Sequence, residues 1–171
     1  MKILFRMLVL LILLALAAWL VGYSIPARQT HTRTITLKQS PVAVFALLTD
    51  LPNFPKWNHN MVKIEMLPTV DGKEATRQTF KHDMQMTIIT TESTPPKHLV
   101  RSMGDSGGPF EGSWTYDISP TADGSQVVLT EQSEMKNPFF RLMVKIFGPT
   151  KYIDEHLDGM AKNFGETAVI R

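Results

Sequence analysis

The hydrophobic and polar positions of the chain divide it into two unequal parts. From Met7 to Val21 every residue is apolar, and Gly22 and Tyr23 extend the run to 17 residues. Such a run is near the lower limit for crossing about 30 Å of hydrocarbon. Including residues 3–5, with Arg6 reaching back to the interface, makes the span sufficient. After this run, alternating and helical patterns replace continuous hydrophobicity.

The apolar run predicts a transmembrane anchor over residues 1–23, and a cleaved signal sequence is the alternative. A signal peptide needs a shorter apolar core followed by a small-x-small site, whereas Ala15-Leu16-Ala17 lies deep within this run. Lys2 and Arg6 favour a cytoplasmic N-terminus. The rest of the chain is therefore expected to be a periplasmic or extracellular domain of a single-pass membrane protein.

A polar linker at residues 24–30 precedes a pattern of strand, helix, strands and helix. Residues 32–39 alternate like a strand, and Ser40 followed by Pro41 predicts a helix that continues to Thr49. The next segment is a loop or a short helix ending at Trp57. Further strands are predicted at residues 62–67, 75–81, 84–93, 99–103, 113–118 and 127–135.

Helical spacing returns near the C-terminus. Asn137-Pro138 opens an apolar stretch that ends at Gly148-Pro149. From Thr150 onward, apolar residues follow the i, i+4, i+7, i+8, i+11 spacing of an amphipathic helix that reaches Phe164. Consecutive strands with short turns imply an antiparallel meander, and the last helix must cover its apolar face. The pattern predicts an α+β fold.

Charge and composition exclude several function classes. Lys2 and Arg6 account for the net charge of +2, so residues 24–171 carry equal numbers of acidic and basic side chains. A neutral domain has no broad attraction for nucleic acid, and no nucleic-acid partner is predicted. The chain has no cysteine, and its five histidines lack metal-ligand spacing. Neither a metal site nor a cofactor is predicted.

The hexapeptide from Gly104 to Pro109 has the sequence found around the nucleophile of trypsin-like serine proteases. Proteolysis would require a histidine base beside Ser106 and an acid that orients it. None of the upstream histidines has the Ala-Ala-His context of those enzymes, and too little chain precedes the motif for a two-barrel fold. Glycine, Asp and Ser are common in loops, so a loop at the rim of a pocket is predicted.

Two segments resemble the START-like superfamily, also called SRPBCC, and especially its polyketide cyclase/dehydrase and lipid-transport branch. Residues 40–58 look like the family's first helix, the Asp that closes it and the Trp (Trp57) of the following short helix. Residues 110–120, around Trp114, look like its characteristic strand. The resemblance covers about residues 31–168 and implies a helix-grip fold, in which a curved antiparallel sheet wraps around a long C-terminal helix.

In such a fold, residues 31–171 would form a ligand-binding domain with a cavity between the sheet and the last helix. Arg101, Tyr116 and Glu131 are candidate polar groups that orient a ligand. The candidate apolar lining consists of Phe54, Trp57, Met84, Met86, Ile88, Trp114, Met160 and Phe164. As an alternative, these apolar residues simply fill a core.

Residues 139–147 are strongly apolar and include two basic residues, Arg141 and Lys145. A basic, apolar helix can lie in a membrane interface. Packing as an ordinary core helix is the alternative. The membrane is thus a predicted partner through residues 3–23 and a candidate partner through residues 139–147.

The resemblance implies binding, and by extension transfer, of a hydrophobic small molecule such as a lipid, quinone or polyketide-like compound at the membrane surface. One alternative is an enzyme of the polyketide cyclase/dehydrase type, although no catalytic constellation is identified. Another is a protein-interaction module of the co-chaperone kind, which a filled core without a pocket would favour. The family motifs mark the fold more sharply than the activity.

Overall fold

The computed structural model describes residues 2–104 and 110–171. Its helices are α1 (Lys2–Ser24), α2 (Pro41–Thr49), α3 (Phe54–Trp57), α4 (Pro138–Phe147) and α5 (Lys151–Asn163). Its strands are β1 (Arg28–Leu37), β2 (Met61–Val70), β3 (Lys73–Phe80), β4 (Gln85–Thr94), β5 (His98–Met103), β6 (Phe110–Thr121) and β7 (Gly124–Met135). The hexapeptide Gly104 to Pro109 falls largely outside the described residues, so its predicted role as a rim loop stays a prediction.

The strands form one antiparallel sheet of seven strands in the order β1-β7-β6-β5-β4-β3-β2. Strands β2 to β7 follow one another as a meander, and β1 joins the sheet beside β7. The turn between β2 and β3 is formed by Asp71 and Gly72, both with positive φ. A tight two-residue hairpin loop requires this backbone geometry, and Gly72 adopts it without steric cost. The predicted α+β helix-grip architecture is confirmed.

The helices α2, α3 and α5 pack against the inner face of the curved sheet. Ser40 caps α2, because its side-chain oxygen accepts a hydrogen bond from the Ala43 amide at 3.3 Å. The buried core joins α2 and α5 to the sheet through Leu48, Leu157 and Leu129, all essentially inaccessible to solvent. The C-terminal helix therefore covers the sheet as the hydrophobic spacing predicts.

Several strand boundaries differ from the sequence-based prediction, and those at the starts of β1 and β4 have a clear physical reason. β1 begins at Arg28, within the predicted linker, because residues 28–31 pair with β7 and Arg28 forms an ion pair with Glu134 at 2.9 Å. Residues 28–31 are polar on both faces of the strand, so the sequence shows no alternation of hydrophobic and polar positions there. At the start of β4, a turn with positive φ at His82 and Asp83 delays the strand to Gln85.

Helix α1 is long and apolar enough to cross a membrane. It also packs against α4: a side chain at Gly22 would overlap the carbonyl oxygen of Pro138. Arg141 of α4 lies next to this contact and is buried, although the sequence predicts it as a basic residue of a membrane-facing or core helix. Its guanidinium donates to three backbone carbonyls, and hydrogen bonds rather than solvent satisfy its charge.

Candidate ligand site between the sheet and the last helix

A small cavity lies between the inner face of the sheet and α5. Its volume is about 20 Å³, which is room for about one water molecule. Side chains from four consecutive strands, from α3 and from α5 enclose it. The lining residues are Phe54, Gln78, Phe80, Ile88, Arg101, Trp114, Tyr116, Tyr152 and His156.

Strand alternation brings the sheet residues of this site together. Arg101 on β5 lies opposite Trp114 on β6, and Tyr116 follows two residues after Trp114, so all three point to the inner face. On α5, Tyr152 and His156 are four residues apart and therefore lie on one side of the helix. The sheet and the helix thus present polar side chains to each other within an apolar core.

His156 is at the centre of a buried hydrogen-bond network. The Asn58 side-chain nitrogen donates to His156 Nδ1 at 3.2 Å, and Asn58 also hydrogen-bonds Tyr152. The Asn58 oxygen accepts from the Asn60 amide at 3.3 Å, in keeping with this amide orientation. The His156 proton is then on Nε2, which donates to the Tyr116 hydroxyl at 3.1 Å.

The titratable groups of this network are held neutral. Burial, followed by the charge of Arg101, lowers the pKa of His156 to about 3. Burial raises the pKa of Tyr116 to about 12, and it raises the pKa of Tyr152 well above the usual tyrosine value. At neutral pH the site therefore presents a neutral imidazole and two neutral phenols.

Arg101 is the one cation among the residues that line the cavity. It is 4% exposed, and its Nη2 donates to the Leu48 carbonyl oxygen at 2.8 Å. The guanidinium carbon lies 5.5 Å from the centre of the Phe54 ring, in cation–π range. Within the described part of the chain, no Asp or Glu is at ion-pair distance from Arg101. Burial lowers its pKa, but a guanidinium stays charged in proteins.

Glu131 lies beside the cavity lining. Its carboxylate accepts a hydrogen bond from Trp114 Nε1 at 2.9 Å, across the β6–β7 ladder. Burial raises the pKa of Glu131, and the hydrogen bond from Trp114 lowers it by less. This bond fixes the indole ring that forms part of the cavity wall.

The structure brings together five of the eleven candidate site residues at the cavity: Phe54, Ile88, Arg101, Trp114 and Tyr116. Trp57 is buried beside them, with its ring centre 4.4 Å from that of Phe54. Glu131 acts through Trp114, as described above. Met86 and Phe164 pack at the margin of the core, and Met160 is fully buried within it.

Met84 is placed elsewhere, and its assignment to the inner face of a strand is wrong. Its side chain is 50% exposed, and it precedes the first residue of β4. The turn with positive φ at His82 and Asp83 breaks the alternation from which the inner face was predicted. The strand pattern holds only from Gln85 onward.

Four residues of the cavity wall are not among those predicted from the sequence: Gln78, Phe80, Tyr152 and His156. The spacing of α5 contained a usable signal, because Tyr152 and His156 are adjacent to the apolar positions Ile153 and Leu157. A histidine at such a position is a candidate for a buried polar contact.

A larger, open depression of about 530 Å³ is lined by residues of β1, β6 and β7 together with Met103 and Gly104. Its charged side chains are paired: Arg28 contacts Glu134, and Lys136 contacts Glu111 at 2.7 Å. It therefore offers no buried charge comparable to Arg101. Within residues 2–104 and 110–171, no group of three His, Asp or Glu side chains is arranged to hold a metal ion.

Solved structures with similar folds place the protein in a structural class. A conserved protein from Geobacillus kaustophilus superposes with a TM-score of 0.64 at 17% identity, covering 84% of this chain and 99% of that one. The Zhui aromatase/cyclase from Streptomyces sp. R1128 gives a TM-score of 0.61 at 13% identity, with 78% and 90% covered. Together with the sheet and the C-terminal helix, these similarities define a helix-grip fold.

The di-domain aromatase/cyclase from the steffimycin biosynthetic pathway also shares the fold, with a TM-score of 0.65 at 7% identity. The match covers 78% of this chain and 49% of the di-domain chain, about half its length. No curated protein matches the sequence. The profile of the polyketide cyclase/dehydrase and lipid transport family matches residues 28–165, and the chain belongs to this family.

Proposed function

We propose that the protein binds a hydrophobic small molecule with one polar end between the sheet and α5, beside the membrane to which α1 attaches it. The observation that carries this proposal is the buried guanidinium of Arg101. It faces a cavity together with Tyr116, Tyr152 and His156. The same wall contains Gln78 and the apolar side chains of Phe54, Phe80, Ile88 and Trp114. Polar groups that converge among apolar side chains are typical of sites that orient small ligands.

The energetics of Arg101 favour a ligand that carries an oxygen acceptor. Burying a charge without an opposite charge destabilises a fold unless hydrogen bonds compensate. Arg101 has five N–H donors, and its hydrogen bond to Leu48 engages one of its three nitrogens. A carboxylate or carbonyl oxygen at the end of a lipid, quinone or polyketide-like molecule would accept hydrogen bonds from some of the remaining N–H groups.

A ligand of this kind needs more space than the present cavity of about 20 Å³. Pockets for small molecules usually measure about 300–1,000 Å³. Binding therefore requires aromatic side chains such as Phe54, Phe80 and Tyr152 to move apart, or α5 to move away from the sheet. The ligand's apolar part would replace contacts that these side chains now make with one another.

The N-terminal helix determines where binding takes place in this proposal. α1 has the length and apolar composition of a transmembrane segment. Lys2 and Arg6 precede its apolar run, and positive charge favours the cytoplasmic side. The ligand-binding domain would then be periplasmic or extracellular and would exchange its ligand with the adjacent leaflet.

The test uses the full-length protein, purified in detergent and released gently in a native mass spectrometer, with organic extraction of bound molecules. We expect a stoichiometric lipid, quinone or fatty acid. Arg101→Met keeps a side chain of similar length without the charge, and it should weaken binding of a fluorescent fatty acid by about tenfold or more, the value of a hydrogen bond to a charged group.

The matched control is Arg77→Met, because Arg77 lies on the same sheet but is exposed. It should bind the fatty acid like the unmodified protein. A full-length protein that carries no small molecule and takes up no fatty acid would contradict the proposal. Equal loss of binding in both variants would show that Arg101 does not contact the ligand.

The small size of the cavity favours a second candidate, a protein-interaction module. In that case the domain would use its surface, and the packed interior would serve only stability. His156 is a poor candidate for the general base of an acid–base enzyme. A general base works best with a pKa near the operating pH, whereas the pKa of His156 is lowered to about 3.

A further inference from the structure

Helix α4 presents an apolar face that the described residues leave uncovered. Phe139, Met143, Ile146 and Phe147 follow the i, i+4, i+7, i+8 spacing of one helix face. Their exposed fractions are 46%, 45%, 68% and 70%, respectively. Contiguous large apolar side chains on a surface usually mark an interaction site.

The opposite side of α4 is fixed to the domain by Arg141. Its Nε donates to the Met135 carbonyl at 2.7 Å, and its Nη1 donates to the Ile25 carbonyl at 3.1 Å. Its Nη2 donates to the Lys136 carbonyl at 3.1 Å. One buried side chain thus joins α4 to the end of β7 and to the residue that follows α1. The direction of the apolar face is therefore set by the fold.

The start of α4 also packs directly on the last turns of α1. Gly22 is buried, and any side chain there would overlap the Pro138 carbonyl. Ala18, one turn earlier on the same face, is partly covered. Small residues four positions apart allow helices to approach closely, and this arrangement is common between helices in membranes.

The position of this contact along α1 determines how deep the contact would lie in a bilayer. α1 has 23 residues, a length of about 34 Å at 1.5 Å per residue, against about 30 Å of hydrocarbon. Near its C-terminal end, Trp19 and Tyr23 stack with ring centres 5.3 Å apart. Aromatic rings at this position favour the headgroup layer. Gly22, and with it the start of α4, would lie at the same level.

We propose that the exposed face of α4, formed by Phe139, Met143, Ile146 and Phe147, is embedded in the bilayer interface beside α1. This inference rests on the part of the proposed function in which α1 crosses the membrane. The partner is the lipid bilayer, because the contact with α1 places the face where lipid would surround it. The exposed Lys145 on the same helix is available to lipid phosphate groups.

The test exploits the absence of cysteine from the chain. Single-cysteine variants of the full-length protein are labelled with an environment-sensitive fluorophore and reconstituted into phosphatidylethanolamine–phosphatidylglycerol vesicles. Phe147→Cys reports on α4, Leu11→Cys on the middle of α1, and Met66→Cys on an exposed apolar position of β2, 58% exposed. Lipids with a quencher on the acyl chain should quench Leu11→Cys and Phe147→Cys strongly, and Met66→Cys should stay unquenched.

Three outcomes would overturn the inference in distinguishable ways. Quenching of Leu11→Cys without quenching of Phe147→Cys would retain the membrane anchor and reject the α4 contact. No quenching at either position would show that α1 does not insert, so the anchoring part of the proposed function would fail as well. Protection of Phe147→Cys from aqueous iodide without lipid quenching would show that a protein, such as a second copy, covers α4. Met143→Cys repeats the measurement at a second position of the face.

Discussion

His156 shows how a single residue can make the stability of the domain depend on pH. It is 2% exposed and hydrogen-bonded through both ring nitrogens, to Asn58 and to Tyr116. Arg101 lies close enough that its charge further disfavours protonation of the imidazole. A proton that binds His156 in the unfolded chain must therefore be released on folding.

We predict that the free energy of unfolding falls as the pH is lowered from about 6 to 4. The pKa of His156 is lowered from 6.5 to about 3, so in this window the unfolded state binds a proton that the folded state does not. The slope approaches about 1.4 kcal/mol per pH unit. In His156→Gln, whose amide can serve the same two neighbours, the contribution of His156 to this slope should be absent, as measured by denaturant titrations of the two full-length proteins.

His98→Gln is a control of opposite sign. Hydrogen bonds and charge from Asp117 and Glu92 raise the pKa of His98. Its contribution to stability is present at low pH and is lost as the pH rises through its folded-state pKa. The titration of Glu131 is the same in all variants, so its contribution cancels when their free energies of unfolding are subtracted from one another. If the His156→Gln protein keeps the slope of the unmodified protein, His156 is accessible to protons in the folded state.

The residue scale also shows what the sequence could reveal about the site. Trp114 and Tyr116 both lie on the inner face because successive side chains of a strand point to opposite faces, and this two-residue spacing is visible in the sequence. His156 was missed because a polar residue beside an apolar helix stripe is usually solvated. Its burial depends on Asn58, which is 98 positions away in the chain, and such partners become visible only in three dimensions.

At the scale of elements, the contact between α1 and α4 depends on one position without a side chain. We predict that Gly22→Val separates the helices, because its Cβ would overlap the Pro138 carbonyl. The hydrogen bond from Arg141 to the Ile25 carbonyl would also be strained. In vesicles, lipid quenching at Phe147→Cys should fall in the presence of Gly22→Val, while quenching at Leu11→Cys stays unchanged.

Ala17→Val is the matched control for this prediction. It adds bulk to the same helix at an exposed position, away from α4. Quenching at Phe147→Cys should then be the same as without the substitution. An unchanged signal with Gly22→Val would mean that the orientation of α4 does not depend on its contact with α1.

Most elements could be predicted because their signals are local. The cap at Ser40, the turn at Asp71-Gly72 and the spacing of α5 each specify structure within a few residues. The pairing of α4 with α1 could not be predicted in this way, because Gly22 lies within an apolar run that gives no sign of a partner. Likewise, Arg28 enters β1 through its pairing with β7, which no local pattern specifies.

For the whole molecule, the proposed orientation across the membrane can be tested with the same cysteine variants. We predict that a membrane-impermeant maleimide labels Met66→Cys in bacterial cells whose outer membrane has been permeabilised. Lys2→Cys should be labelled only after the inner membrane is lysed, because positive charge favours a cytoplasmic N-terminus. The two sites lie on either side of the apolar run.

A leakage control uses a cytoplasmic enzyme, which should stay in the cells throughout the labelling. Labelling of Lys2→Cys in intact cells, with protection of Met66→Cys, would reverse the orientation. Labelled Met66→Cys that appears in the soluble fraction at reduced mass would instead indicate cleavage as a signal sequence.

Strand β2 ends the sheet on one side, and this position has a consequence where many copies of the domain are crowded together. An unpaired strand edge can pair with a strand of a neighbouring molecule. β2 contains Pro68, which lacks an amide proton, and its pairing with β3 is irregular between Leu67 and Val70. Lys63 and Glu65, paired at 2.7 Å, add charge along the strand. These features make β2 a poor template for a second sheet.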